Sequence, residues 1–293
     1  MGRSEVQKYA YTSGRPKGSI LVSSAFVLTL IASLLLWPSE AFAIRVSLKR
    51  VTFEDSKRSE ILTIINSTEK EQTYRLGWRK YRMDEKKALR AVGEGEKADD
   101  IQWADDMVRF APRRVTVPAG GSQQIRLLFR RPADLKDGEY RSHLWIVSET
   151  PPESFDAKQV GKQAVRLAVQ PAISLPVFVR AGNLEAKASI ADMKAVKVDS
   201  NNLKVSFVLN REGTRSIYGD VDFLCSQGGK EVVLHQVRGI SVYMEIAKRY
   251  MDFDVPLNTP EKQACNNVTA RYRADTEDTQ FKGATLAEGS AQY

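Results

Sequence analysis

The chain has 293 residues, 42% of them hydrophobic, with a formal charge of +8 and two cysteines. That length allows one or two domains of about 100–200 residues each, with sizeable cores. Two cysteines exclude a disulfide-dense miniprotein. The excess positive charge forms no dense Lys/Arg block and no recognisable nucleic-acid module, so no nucleic-acid partner is expected.

Residues 1–43 read as a secretory signal. Arg3, Lys8, Arg15 and Lys17 precede the apolar run LVSSAFVLTLIASLLLW, and Ala41-Phe42-Ala43 supplies a small-residue cleavage site. The alternative is an uncleaved anchor, because Ile20 to Trp37 reaches the borderline of about 18 residues for a bilayer span. No later run is long and apolar enough to cross a membrane. The mature chain is therefore expected to be exported, without stable membrane insertion after cleavage.

From Ile44 the chain reads as all-β. Ile44, Val46 and Leu48 share one phase of a strand, and Arg50 continues it. A charge on an apolar phase is costly unless it is paired or reaches water. Either this strand twists out into solvent, or Arg50 lies in a cleft awaiting an anion. Short strands follow in SEILTIINST, QTYRLGWRKYRM, MVRFAP, VTVPAGG, QQIRLLFRRP and EYRSHLWIVSE, with residues 84–106 expected as a long polar loop. In that loop Asp99-Asp100 and Asp105-Asp106 flank Trp103. Such carboxylates could do acid–base work or bind a cation, but a solvated acidic loop is the plainer reading.

The stretch Gln163–Arg180, QAVRLAVQPAISLPVFVR, places Val165, Leu167, Val169, Pro171, Ile173, Leu175 and Val177 on one phase. It reads as one long strand with one buried face. Pro171 cannot donate to a ladder, which points to a sheet edge. Two readings stand: a core strand of a sandwich, or a strand whose open edge and apolar row serve a partner. Ala181-Gly182-Asn183 marks a domain boundary, giving domains at 44–180 and 181–276. The second half repeats the style of short punctuated strands. Residues 277–293 read as a polar tail that frays.

Little points to catalysis. His143 and His235 sit inside strands without metal-ligand spacing and read as structural. No nucleophile elbow, phosphate loop or dinucleotide fingerprint is present. No enzyme activity, cofactor or metal is expected. Cys225 and Cys265 both follow the signal, so in an oxidising compartment they suggest a disulfide, the alternative being two buried thiols.

SLKRVTF, VTVPAGGSQQIRLLFRRP, GEYRSHLWIVSETPP and the strand ending in LPVFVR, in this order behind a signal, resemble the periplasmic pilus chaperones of the chaperone–usher pathway. Their wording is closer to the archaic or alternative branches. The resemblance covers Ile44 to Val179 closely and the second domain in outline. It implies two immunoglobulin-like sandwiches in a boomerang. It implies that the first domain lends a strand to an incomplete pilin, whose delivery to an outer-membrane usher follows. Carried over by position, Val165, Leu167, Val169 and Ile173 match the donor residues, and Arg50 matches the arginine that anchors the subunit's C-terminal carboxylate. The family's second cleft base falls at Ser174, with Arg166 as another candidate. Arg126 and Glu139 resemble the pair that fixes the two domains. The rival reading is another exported β-sandwich binding protein, an adhesin or a pilus structural subunit.

Overall fold

The computed structural model describes residues 44–149, 158–160, 163–165 and 170–293, all inside the compact unit Ala43–Tyr293. The secretory-signal reading of residues 1–43 and the positions Arg166, Leu167 and Val169 lie outside the described residues. Of Val165 only its place in a strand is described.

The all-β expectation holds: the described residues form twenty strands and one helix of 4 residues. In the first sandwich, one sheet has the order β1 (Ile44–Val46), β3 (Ser59–Asn66), β9 (Ser122–Phe129), β7 (Val108–Ala111). The facing sheet has the order β2 (Val51–Phe53), β13 (Ala172–Ala181), β10 (Gly138–Ser148), β4 (Gln72–Arg79), β8 (Arg114–Val117). Alternation puts Leu62, Ile64, Ile125, Leu127, Leu144, Ile146, Val177 and Val179 into a shared core, each 0% exposed. Each such side chain contributes about 1.5–3 kcal/mol by leaving water.

The second sandwich pairs β14 (Ala186–Lys197), β15 (Asn202–Gly213) and β18 (Lys248–Pro256) against β17 (Lys230–Val242), β16 (Ile217–Gln227), β19 (Asn267–Ala274) and β20 (Thr285–Gln292). Its core centres on Phe207, Phe223, Val268 and Tyr272. The helix α1 (Pro260–Gln263) starts at Thr259, whose side chain accepts from the Lys262 backbone N–H. Cys225 and Cys265 are joined in a disulfide, with 6.1 Å between their Cα atoms.

Three expectations change. The strand expected over Gln163–Arg180 is not continuous. Gln163–Val165 is a short strand, β12, paired with β11 (Lys158–Val160), and the strand that joins the sandwich begins only at Ala172. The loop expected at 84–106 contains a hairpin of β5 (Tyr81–Asp84) and β6 (Ala88–Ala91). Its turn is held by Asp84 Oδ1, which accepts from the backbone N–H groups of Lys86 and Lys87 at 2.9 and 3.0 Å. The tail does not fray, because β20 pairs along the length of β19. Its residues are small because it lies against β14: a Cβ on Gly289 would meet Ile190 Cγ2 at 2.5 Å.

Candidate functional site

The site is built where β2 and β13 run side by side. The first strand of the fold changes sheets: β1 pairs with β3, whereas β2 pairs with β13. Ile44, Val46 and Leu48 pack on the core from one phase, and Val51 and Phe53 are buried in it from the other. The switch therefore turns Arg50 away from the core its phase would have entered. This resolves the odd charge on the apolar phase.

Arg50 is nonetheless 6% exposed, because the second sandwich covers it. Its guanidinium lies 4.5 Å from the centroid of the Tyr218 ring. Nη2 is 3.7 Å from Asp275 Oδ1 and 4.0 Å from Asp278 Oδ2. Nη1 is buried without a hydrogen-bond partner. A buried orphan donor costs about 1–3 kcal/mol, so this arginine can accept another anion. It lines a cavity of about 210 Å³ together with Thr52, Glu54, Arg180, Asp278 and Thr279.

The surrounding charges form one network. Asp275 also takes Lys49 at 3.4 Å. Asp278 takes Arg215 at 2.6 Å and Arg180 at 3.9 Å. Arg180 donates through Nε to Glu139 at 2.9 Å and reaches Glu54 at 3.3 Å. Glu139 accepts in turn from the Ser216 backbone N–H at 3.1 Å and from the Ser216 hydroxyl. Burial pulls the Arg180 pKa down, but the charge and hydrogen bond of Glu139, with Glu54 and Asp278, outweigh it and leave it raised. Burial and the neighbouring Arg180 charge lower the Arg215 pKa. Buried pairs of this kind are costly to break one partner at a time, so they hold the two sandwiches in one arrangement.

Two sequence assignments are corrected here. Arg126 is exposed on β9, opposite Ile61 and Ala111, in the sheet that lacks Glu139. The partner of Glu139 is Arg180, its direct neighbour in the β10–β13 register. Local wording points to Arg126, whereas the pairing joins two residues 41 apart in the chain. Ser174, in turn, is exposed and stands opposite Trp145 in the β10–β13 ladder. Arg50 precedes Val51, which faces Val177, so Ser174 lies about two residues, or about 7 Å, short of the level of Arg50 along the strand. The bases that share acids with Arg50 are Lys49, Arg180 and Arg215. Sequence reasoning missed Arg180, Asp275 and Asp278, and the last lay in the supposed tail.

Beside this cluster runs an edge. β2 covers β13 only at Val177–Val179. Among the described residues no strand pairs with the same side of Ala172–Pro176. The Ser148 N–H to Pro171 carbonyl bond, 3.1 Å, sets the ladder phase. In that phase Ala172, Ser174 and Pro176 direct their backbone groups away from β10. Pro176 thus omits a donor only on the open side, where none is needed. Pro171 removes a donor on the paired side, and Gln170 Nε2 replaces it, donating to the Ser148 carbonyl at 2.6 Å.

The apolar row divides along the same line. Leu175, Val177 and Val179 belong to the protein's own core. Ile173, opposite the buried Ile146, is half-buried at the point where that core gives out.

No family model matches the chain. No curated protein matches it. Solved structures that match include the Pseudomonas aeruginosa CupB2 chaperone, at 11% identity and a TM-score of 0.42 over 85% of this chain and 99% of that one. A second is the CsuC–CsuE chaperone–tip subunit pre-assembly complex from archaic chaperone–usher Csu pili of Acinetobacter baumannii. It matches at 11% identity and a TM-score of 0.40, over 78% of this chain and 93% of that one. A third is the E. coli chaperone DraB, at 14% identity and a TM-score of 0.38, over 86% and 96%. With each of these TM-scores below 0.5, the fold assignment rests on the strand order and the two cores. No helix among the described residues is long and apolar enough to cross a membrane.

Proposed function

We propose that the chain is a periplasmic, non-enzymatic chaperone for fimbrial subunits that acts by strand addition and hands its cargo to an outer-membrane usher. The observation that carries this reading is the open edge of Ala172–Pro176 running up to a buried arginine with a free donor. An incomplete subunit docks an extended segment on that edge, gaining main-chain hydrogen bonds. Ile173 and the residues before it, Val165, Leu167 and Val169, fill the subunit's exposed groove. The subunit's terminal carboxylate meets Arg50 Nη1 in a charge-assisted bond. That contact sets the register, and a one-residue slip would turn the whole apolar row the wrong way. The resemblance of the sequence to pilus chaperones supports the same reading.

Co-expression with a fimbrial subunit tests it. Arg50→Ala is expected to fold and be exported, because Asp275 keeps Lys49 and Asp278 keeps Arg215. Loss of the carboxylate bond, about 1.5–3 kcal/mol, should weaken subunit retention roughly ten- to hundredfold. Normal subunit accumulation with the variant would overturn the anchor.

A further inference from the structure

The first sandwich carries a second feature on the outer face of the same sheet. In one row across β13, β10 and β4 stand Ser174, Trp145 and Gly77. Arg75 and Arg79 flank Gly77 on its own face of β4, with guanidinium carbons 5.9 and 5.3 Å from the Trp145 ring centroid. Arg114 stands directly opposite Arg75 on β8. Like charges so placed repel, and Glu149 bridges them, at 3.0 Å from Arg75 and 2.7 Å from Arg114. Arg79 has no acidic partner among the described residues and is exposed. Three guanidinium groups against one carboxylate leave this face cationic.

Gly77 needs an explanation of its own. Its backbone is ordinary, the ladder through it has no bulge, and a Cβ there would meet nothing within 4 Å. The protein's own packing does not require glycine at this place. A glycine inside a strand weakens it and often marks where another chain approaches closely. Here it leaves a notch opposite an aromatic ring, between two cations, two strands and about 10 Å from the open edge.

We infer that Arg75, Gly77, Arg79 and Trp145 form a docking surface for an acidic, extended segment of the subunit that adds its strand to β13. The carboxylates would lie over Gly77 between the two guanidinium groups, which the Trp145 ring holds in place. The occupant is argued from charge complementarity and from continuity with the edge, and this rests on the strand-addition reading. The surface would act chiefly on the rate and selectivity of capture, as charged patches beside an interface do.

The test follows the Trp145 indole N–H signal by NMR, assigned from its loss in Trp145→Phe, in the full exported chain. The probe is tetraglutamate with both ends capped, so that it offers no terminal carboxylate to Arg50. The expected result is a saturable shift at about 50 mM salt that weakens several-fold at about 500 mM. Arg79→Ala and Gly77→Val should each weaken it about tenfold, while the rest of the spectrum reports an intact fold. Tetraserine and tetralysine should produce no shift. Arg50→Ala and Ile173→Asp should leave the shift unchanged, which separates this surface from the edge and its anchor. No shift with tetraglutamate, or an equal shift in Arg79→Ala, would overturn the surface. A second arm uses an alternating Val/Thr peptide with a free carboxylate, with and without a tetraglutamate extension. Tighter capture of the extended peptide by the wild type but not by Arg79→Ala supports the shared occupant. An equal affinity for both peptides, or no capture of either, would overturn the assignment to the edge-bound subunit.

Discussion

The two halves of β13 have the same alternating pattern and opposite surroundings. From Val177 to Val179 the strand lies between β10 and β2 and buries one row in its own core, and it presses Phe178 and Arg180 toward the second sandwich. From Ala172 to Pro176 it keeps β10 on one side and has an unpaired edge on the other, with Ala172 and Ser174 exposed. What separates the paired edge from the unpaired one is therefore the length of β2, three residues, while the apolar row stays in the core as far as Leu175. An unpaired edge offers its backbone groups to another chain even where the side chains of the strand are core.

Substitutions at the two ends should break along this line. Val177→Asp puts an unpaired carboxylate at a fully buried position and should cost more than about 4 kcal/mol, leaving little folded first sandwich by circular dichroism. A normal melting curve would show that the covered half is not core.

The next effect is set by pH at the junction of the halves. His143, opposite Pro176, is buried between the rings of Tyr81 and Tyr243. Burial, with the nearby Arg141 charge, pushes its pKa down to about 3. The folded protein keeps it neutral, while the unfolded chain takes up a proton below about 6.5. Its contribution is thus unchanged above that pH and is lost as pH falls from about 6.5 toward about 3, by up to about 1.4 kcal/mol per pH unit. His143→Phe should flatten that slope in denaturant titrations across the range. An unaltered slope would place the acid sensitivity elsewhere.

The disulfide offers a control remote from β13. Cys225→Ala with Cys265→Ala opens a loop of 40 residues in sequence separation and should destabilise the second sandwich by about 2–4 kcal/mol. Subunit capture at permissive temperature should persist, because the edge and Arg50 belong to the first sandwich and a folded second sandwich still brings Asp275 and Asp278 to Arg50. Loss of capture at a temperature where the variant is folded would tie the edge to the second core. The smallest change in stability is expected at Ile173→Asp, about 1 kcal/mol at a partly buried site. Capture should nevertheless fall, more than for Ala172→Asp on the opposite phase, when both are measured by co-purification. Equal losses at the two positions would show that the apolar phase is not what the partner reads.

Much of the architecture was legible because it is local. Two-residue alternation with turn residues between the runs is enough to read strands, and two cysteines after a stretch that reads as an export signal are enough to suggest the bond that joins them. Arg50 was visible as a charge on an apolar phase. The polar wording of β20 hid a strand, since an edge that packs on β14 through Gly289 needs small residues rather than apolar ones. The same wording hid Asp278, which the fold carries into the charge network of the cleft.

The sequence by itself determined the all-β class and the presence of an arginine on the apolar phase of its strand, both of which follow from residue type and short-range period. It suggested the disulfide and, through the resemblance, the paired sandwiches. Only the tertiary structure decided that Arg180, rather than Arg126, meets Glu139, that Asp275 and Asp278 close around Arg50, and that the edge of β13 is paired at Val177–Val179 and, among the described residues, unpaired from Ala172 to Pro176. Those outcomes depend on which strands become neighbours and in what register. That is settled by contacts between residues far apart in the chain, which no local pattern encodes.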